Sequence, residues 1–100
     1  MNTTKAYATK SATVSSTAKA ISHADFSWGA SDLADARRAY ISPFSDAVVA
    51  CWSGETPTAT LGHKVDVGGT LVVNGNANIN ALQFIRAGSS DVTLSITLEK

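Results

Sequence analysis

The sequence predicts a small all-β domain: a single antiparallel β-sandwich, jelly-roll-like, with about seven short strands. Three observations lead there. Over residues 91–99, Val92, Leu94, Ile96 and Leu98 share one face while Thr93, Ser95, Thr97 and Glu99 share the other, the period-2 pattern of a half-buried strand. Turn residues punctuate the chain roughly every 8 to 12 positions, a spacing that fits short strands. The composition is rich in Ala, Thr, Ser, Val and Gly with only 16% charged residues, which, the alanines apart, suits strands and tight turns better than helices.

Residues 1–11, MNTTKAYATKS, carry little hydrophobicity beyond Tyr7 and read as an N-terminal arm, leaving 12–100 as the sandwich domain. Such an arm either frays or orders against a neighbouring subunit by main-chain pairing. Residues 12–22 read as one strand with a kink at Ser15-Ser16. Only residues 31–38 have helical character. There Asp32 is a candidate cap, Asp35 falls in the first turn, and Arg37 and Arg38 suit the C-terminal end of the dipole, so a turn or two is expected.

Strands follow at residues 38–42 and 47–53, joined across Pro43-Phe44-Ser45-Asp46. Residues 54–58 form a loop, because Pro57 has no N–H for a ladder and pushes Thr56 toward extended backbone. Two short runs, 63–67 and 70–74, are separated by Gly68-Gly69, and Asn74-Gly75-Asn76 marks a further turn. Residues 79–87 are expected to pair with 91–99 as a hairpin about Gly88-Ser89-Ser90, with Gly88 free to take positive φ. In that partner strand Leu82 and Phe84 share a face and Ile85 takes the other. Residues 48–52 and 71–73 are apolar on both faces, as in strands covered on each side. One cover is the core; the other is either the N-terminal segment or another subunit.

One hundred residues make one domain with a thin core. Eight basic residues balance eight acidic ones, and apart from Arg37-Arg38 the basic residues are scattered, which disfavours a nucleic-acid partner. No apolar run approaches the roughly 18 residues of a membrane span. Met1 opens onto Asn-Thr-Thr-Lys rather than a signal-peptide core, so synthesis in the cytoplasm is expected. The lone Cys51 lies inside an apolar run and reads as a small buried residue with no internal disulfide partner.

Chemistry is harder to find. His23 and His63 are far apart and sit in no HxH, HxxxH or CxxC spacing, so no metal is expected. The acids Asp32, Asp35, Asp46, Glu55, Asp66 and Asp91 never form a calcium-loop pattern. No serine stands in Gly-x-Ser-x-Gly, and the glycine turns at Gly68-Gly69 and Gly75 lack the helix start a phosphate loop needs. No catalytic residue and no cofactor are expected, and the reading is of a protein that is not an enzyme. Flat aromatic rings are another matter: Trp28, Tyr40, Phe44 and Trp52 are candidates for stacking on sugars. Trp52 ends an apolar strand, which favours a core or interface place. Trp28, in Phe26-Ser-Trp-Gly-Ala30, is either exposed or a plug on one end of the sandwich. Tyr7, Trp28, Tyr40 and Trp52 are the candidate interface residues.

Read in order, the chain presents an Arg-led strand at 36–42, a Trp strand at 47–52, a Pro-Thr-Ala loop at 57–62, a Gly-Gly-Thr-Leu turn at 68–71, and a closing segment at 78–88 with Phe84-Ile85 before its glycine. This series resembles a group of small all-β virion structural proteins of tailed bacteriophages. It covers residues 36–98 and, more loosely, 12–22; residues 26–34 stand outside the pattern. The resemblance implies a non-enzymatic capsid decoration (cement) protein on the virion surface. Its expected partners are the major capsid protein or other virion subunits, with a homo-oligomer expected and no nucleic acid or membrane bound. The alternative it implies is a glycan- or host-surface-binding module such as a head-fibre or adhesion domain.

Overall fold

The structure, a computed structural model, describes residues 5–100. Eight strands run in chain order: β1 (Ala6–Val14), β2 (Lys19–Ala20), β3 (Arg38–Pro43), β4 (Val48–Cys51), β5 (His63–Val65), β6 (Leu71–Asn74), β7 (Gln83–Arg86) and β8 (Val92–Glu99). A 3-10 turn at Ala24–Phe26 and two one-turn helices, α1 (Asp32–Asp35) and α2 (Asn76–Asn80), fill the connections. The strands form two four-stranded sheets, β1-β8-β3-β6 and β2-β7-β4-β5. β1 pairs with β8, β2 with β7, β3 with β6 and β4 with β5, all antiparallel. The chain is therefore one long hairpin rolled upon itself, closed by β3 against β8 and β4 against β7. That is the eight-stranded, two-sheet jelly roll, so the all-β sandwich expected from the sequence is the fold.

Rolling the hairpin corrects one expected pairing. β7 and β8 do not pair with each other; they belong to opposite sheets, and residues 87–91 carry the chain across. The ends of this crossing are tied apart: Ala87 N–H donates to Ala47 C=O in one sheet, while Thr93 C=O accepts from Phe44 N–H in the other. Alternation specifies which face of a strand is inward but not which strand lies beside it. The inward assignment itself holds, since Val92, Leu94, Ile96 and Leu98 are all fully buried. They meet Leu82 and Phe84 of the opposite sheet's side, with Ile21, Phe26, Ile41 and Val48, in one apolar cluster. Among the described residues no polar or charged residue is buried.

The expected arm is also corrected. Residues 6–11 are the first part of β1, in register with β8 from Ala6 opposite Glu99 to Val14 opposite Val92. Lys5 and Lys100 exchange both backbone hydrogen bonds just beyond that ladder. The expected arm's residues 1–4 lie outside the described residues. Burial along these residues is thin because β1 is an edge strand, with Lys10 rather than an apolar residue opposite Ile96. The strand expected over 12–22 divides at residues 15–18, where the kink was expected, and its second part, β2, joins the other sheet.

β4 finds its second cover in a loop of the chain itself. All four residues of β4 are buried, and the chain's own β4–β5 connection comes back over Val49. Gly62 there passes so close that a Cβ would stand 2.7 Å from Val49 Cγ1 and 2.8 Å from the Ala50 carbonyl oxygen. β6 is not covered on both sides: Val73 is buried, but Val72 faces outward and is 44% exposed.

α1 is a single turn where a turn or two was expected, and Asp32 is inside it, its carboxylate accepting from Gly29 N–H at 2.7 Å. α2 lies where a turn and the start of a strand were expected. Asparagines favour side-chain bonds to nearby backbone, and here those bonds hold the helix in place. Asn76 Nδ2 reaches the carbonyls of Leu33, Ala34 and Ala36 at 2.9, 3.1 and 2.9 Å, and Asn80 Nδ2 reaches Leu33 C=O at 3.1 Å. Asn76→Ala is expected to cost about 1 to 2 kcal/mol through those lost bonds. Asn76→Asp should cost more, because a carboxylate has no donor and sets a negative charge against three carbonyls. Denaturant midpoints of the two variants test this, and equal midpoints would contradict it.

Candidate functional site

The four aromatic candidates are set by four different local arrangements. Tyr7 occupies a bulge in β1, where the register against β8 shifts between Ala6 and Ala8. The extra residue turns its ring toward α1, and its hydroxyl donates to Asp32 C=O. The Lys100 ammonium lies 4.9 Å from the ring centroid, a cation–π contact. Burial, then the Asp32 and Asp35 charges, raise the Tyr7 phenol above its ordinary value.

The sign of that shift gives a prediction. A folded state that holds a phenolic proton more tightly than the unfolded chain is favoured below the ordinary phenol value. It loses that contribution as pH rises through the folded value. A near-ultraviolet titration should therefore show a phenol ionising later than free tyrosine, and Tyr7→Phe should remove it. Persistence of the late step in Tyr7→Phe would contradict the assignment.

Trp28 is the plug rather than an exposed ring. Its indole N–H donates to Ile21 C=O at 2.9 Å, and its ring stacks on Phe26 with centroids 6.1 Å apart. Phe26 in turn meets Phe84 edge-on at 6.3 Å. Residues 26–34 thus close one end of the sandwich, the end to which Tyr7 also turns.

Tyr40 alternates outward on β3, opposite Thr97 on β8 and Val72 on β6. Its hydroxyl donates to Glu99 Oε1 at 3.3 Å, Arg38 Nη1 lies 3.6 Å from the same oxygen, and Arg38 Nε donates to Asn74 Oδ1 at 2.9 Å. The outer face around this group is hydroxyl-rich: Thr9 meets Thr97 at 2.9 Å and Ser42 meets Thr70 at 3.2 Å. Trp52 follows β4 and stacks on the exposed His63 ring of β5, 4.7 Å between centroids. Beside it the buried Cys51 Sγ lies 3.4 Å from Ser53 Oγ.

The structure brings Tyr7 and Trp28 to one end of the molecule. Tyr40 stands on the outer face of one sheet and Trp52 at a strand end of the other. The four do not form a single aromatic platform. Among the described residues no three His, Cys, Asp or Glu side chains come together as a metal site. His23 is exposed, and its Nδ1 accepts from Asp25 N–H at 3.0 Å.

Of the exposed apolar residues of the loops, the sequence singles out Phe44 as a stacking candidate but not Val67. Phe44, just past β3, is 63% exposed, and Val67, just past β5, is 54% exposed. Their two connections are drawn together by the Ser42–Thr70 contact at the end of the β3–β6 ladder. Comparison of the chain with protein-family models, with curated proteins and with solved structures finds no match to any of them.

Proposed function

We propose that the chain is a non-enzymatic structural protein of a tailed-phage virion. In this reading it is a decoration (cement) protein that seats on the capsid surface and stabilises contacts between major capsid protein subunits. The strand order carries the reading: two-sheet jelly rolls recur in viral capsid and lectin domains, and the sequence series over residues 36–98 resembles phage virion proteins. Further support comes from what the fold leaves outside. Its apolar residues close one core, yet Phe44, Val67 and Val72 remain exposed and the long strand β1 stands at a sheet edge. Such groups add burial and main-chain pairing when a neighbour arrives, without any chemical step. The protein then works as a self-associating or lattice-bound subunit.

A second reading, a glycan- or host-surface-binding module, draws on the lectin use of the same architecture and on half-buried Trp52 beside His63. The Trp28 ring is unavailable to it, being packed on Phe26. The experiment is co-sedimentation with purified undecorated tailed-phage capsids. The decoration reading expects saturable binding at fixed stoichiometry and a raised melting temperature of the shell. Binding to a glycan array with no capsid binding would overturn it in favour of the second reading.

A further inference from the structure

The long edge of the β1-β8-β3-β6 sheet has a defined pattern of open backbone groups. Glu99 C=O accepts from Arg37 N–H and Thr93 C=O accepts from Phe44 N–H, so these residues of β8 turn their backbone groups toward β3. By alternation Thr93, Ser95, Thr97 and Glu99 bond toward β3 while Val92, Leu94, Ile96 and Leu98 bond toward β1. The β1 residues opposite the first set, Thr9, Ser11 and Thr13, consequently direct their N–H and C=O groups away from β8, to the open side. The Thr13 carbonyl confirms the direction, since it accepts from Lys19 Nζ at 2.6 Å from outside the ladder. Thr9 and Ser11 form the centre of the exposed edge.

That edge is lysine-lined. Lys5, Lys10, Lys19 and Lys100 are four of the five lysines in the chain, and all stand on or beside β1. Lys19 is neutralised by Asp25, but among the described residues Lys5, Lys10 and Lys100 make no ion pair. β1 itself contains no acid; at its start Glu99, opposite Ala6, is engaged by Arg38 and Tyr40, and Asp32 and Asp35 lie behind Tyr7 in α1.

We infer that the open edge of β1 accepts an extended, acidic segment of a partner chain as an added antiparallel strand. Main-chain groups of Thr9 and Ser11 supply the ladder, and the lysines select the charge. A second copy of this chain fits the edge poorly, because β1 carries Lys10 and no acid, so two such strands bring only like charge to each other. The inference deepens the proposed function by naming a surface and a partner chemistry, and it rests on the reading that the protein works by assembly.

The test uses the full chain and two blocked synthetic peptides, Thr-Glu-Val-Glu-Val-Glu-Val-Thr and the same peptide with lysine for glutamate. Amide exchange and calorimetry are followed for each. The acidic peptide should slow exchange at Thr9 and Ser11 and bind at least about tenfold more tightly than the basic one, a preference that shrinks with salt. Lys10→Glu should reduce or reverse it. Ser11→Pro, which removes an N–H that points away from β8, should leave the melting curve near the parent's yet abolish peptide binding. Absence of protection at Thr9 and Ser11 with either peptide would overturn the inference and leave the lysines as guards against edge pairing. Protection that grows with protein concentration alone would overturn it in favour of a second copy. Because no capsid is present, failure here leaves the co-sedimentation result standing, and failure there leaves this one.

Discussion

Ile96→Ala is expected to lower stability by about 2 to 5 kcal/mol, the largest effect of any single substitution considered. Ile96 is fully buried, and β8 is an interior strand, so the side chain sits opposite Lys10 on β1 and Ile41 on β3 with the other sheet above it. Truncation removes apolar burial and leaves a cavity that two flanking ladders keep from collapsing. A domain of this size has only about 5 to 15 kcal/mol in hand. At about 4 to 8 °C per kcal/mol the melting temperature should fall by at least about 8 °C. Ser95→Ala is the control, one residue away but facing outward, and should stay within about 0.5 kcal/mol of the parent. A loss below about 1 kcal/mol at Ile96 would mean that β8 is not the interior strand of its sheet.

The second large effect is expected at Gly62. Its φ of +127° is one that side-chain-bearing residues avoid, and an added Cβ would stand 2.7 Å from Val49 Cγ1 and 2.8 Å from Ala50 O. Backbone strain alone costs about 1 to 3 kcal/mol in Gly62→Ala. The clash falls partly on backbone that cannot rotate away, so the loop must lift from β4 and expose Val49. Gly54→Ala separates the two contributions, because Gly54 also has positive φ, +94°, but nothing lies within 4 Å of its Cβ position. Denaturant midpoints should therefore order parent, Gly54→Ala, then Gly62→Ala. Equal losses at the two glycines would remove the loop from its place over β4.

These two sites also show what a sequence can disclose. The inward face of β8 was legible because four apolar residues alternate without interruption. Its neighbours were not, since β1 and β3 are chosen by how the whole hairpin rolls. The first part of β1, residues 6–11, escaped notice for a physical reason: an edge strand buries little, and its inward positions include Lys10. With that part unseen, the lysines beside it looked scattered, and the edge they line could not be read. α2 was hidden by its own stabilisation, since Asn-Gly-Asn reads as a turn until Leu33, Ala34 and Ala36 bring their carbonyls to Asn76. Residue type was enough to single out Tyr7, Trp28, Tyr40 and Trp52. Only the fold distinguishes the ring that plugs an end, Trp28, from one on an outer face, Tyr40.

β1 belongs to the sandwich while leaving one side of its backbone open. Native-state amide exchange along this strand tests it most directly. Alternation is expected: Lys10 and Ala12 exchange slowly, with their N–H groups bonded toward β8, while Thr9 and Ser11 exchange quickly into solvent. Uniformly fast exchange through residues 6–11 would contradict it by making them a loose arm. Uniformly slow exchange would contradict it by showing the edge already covered.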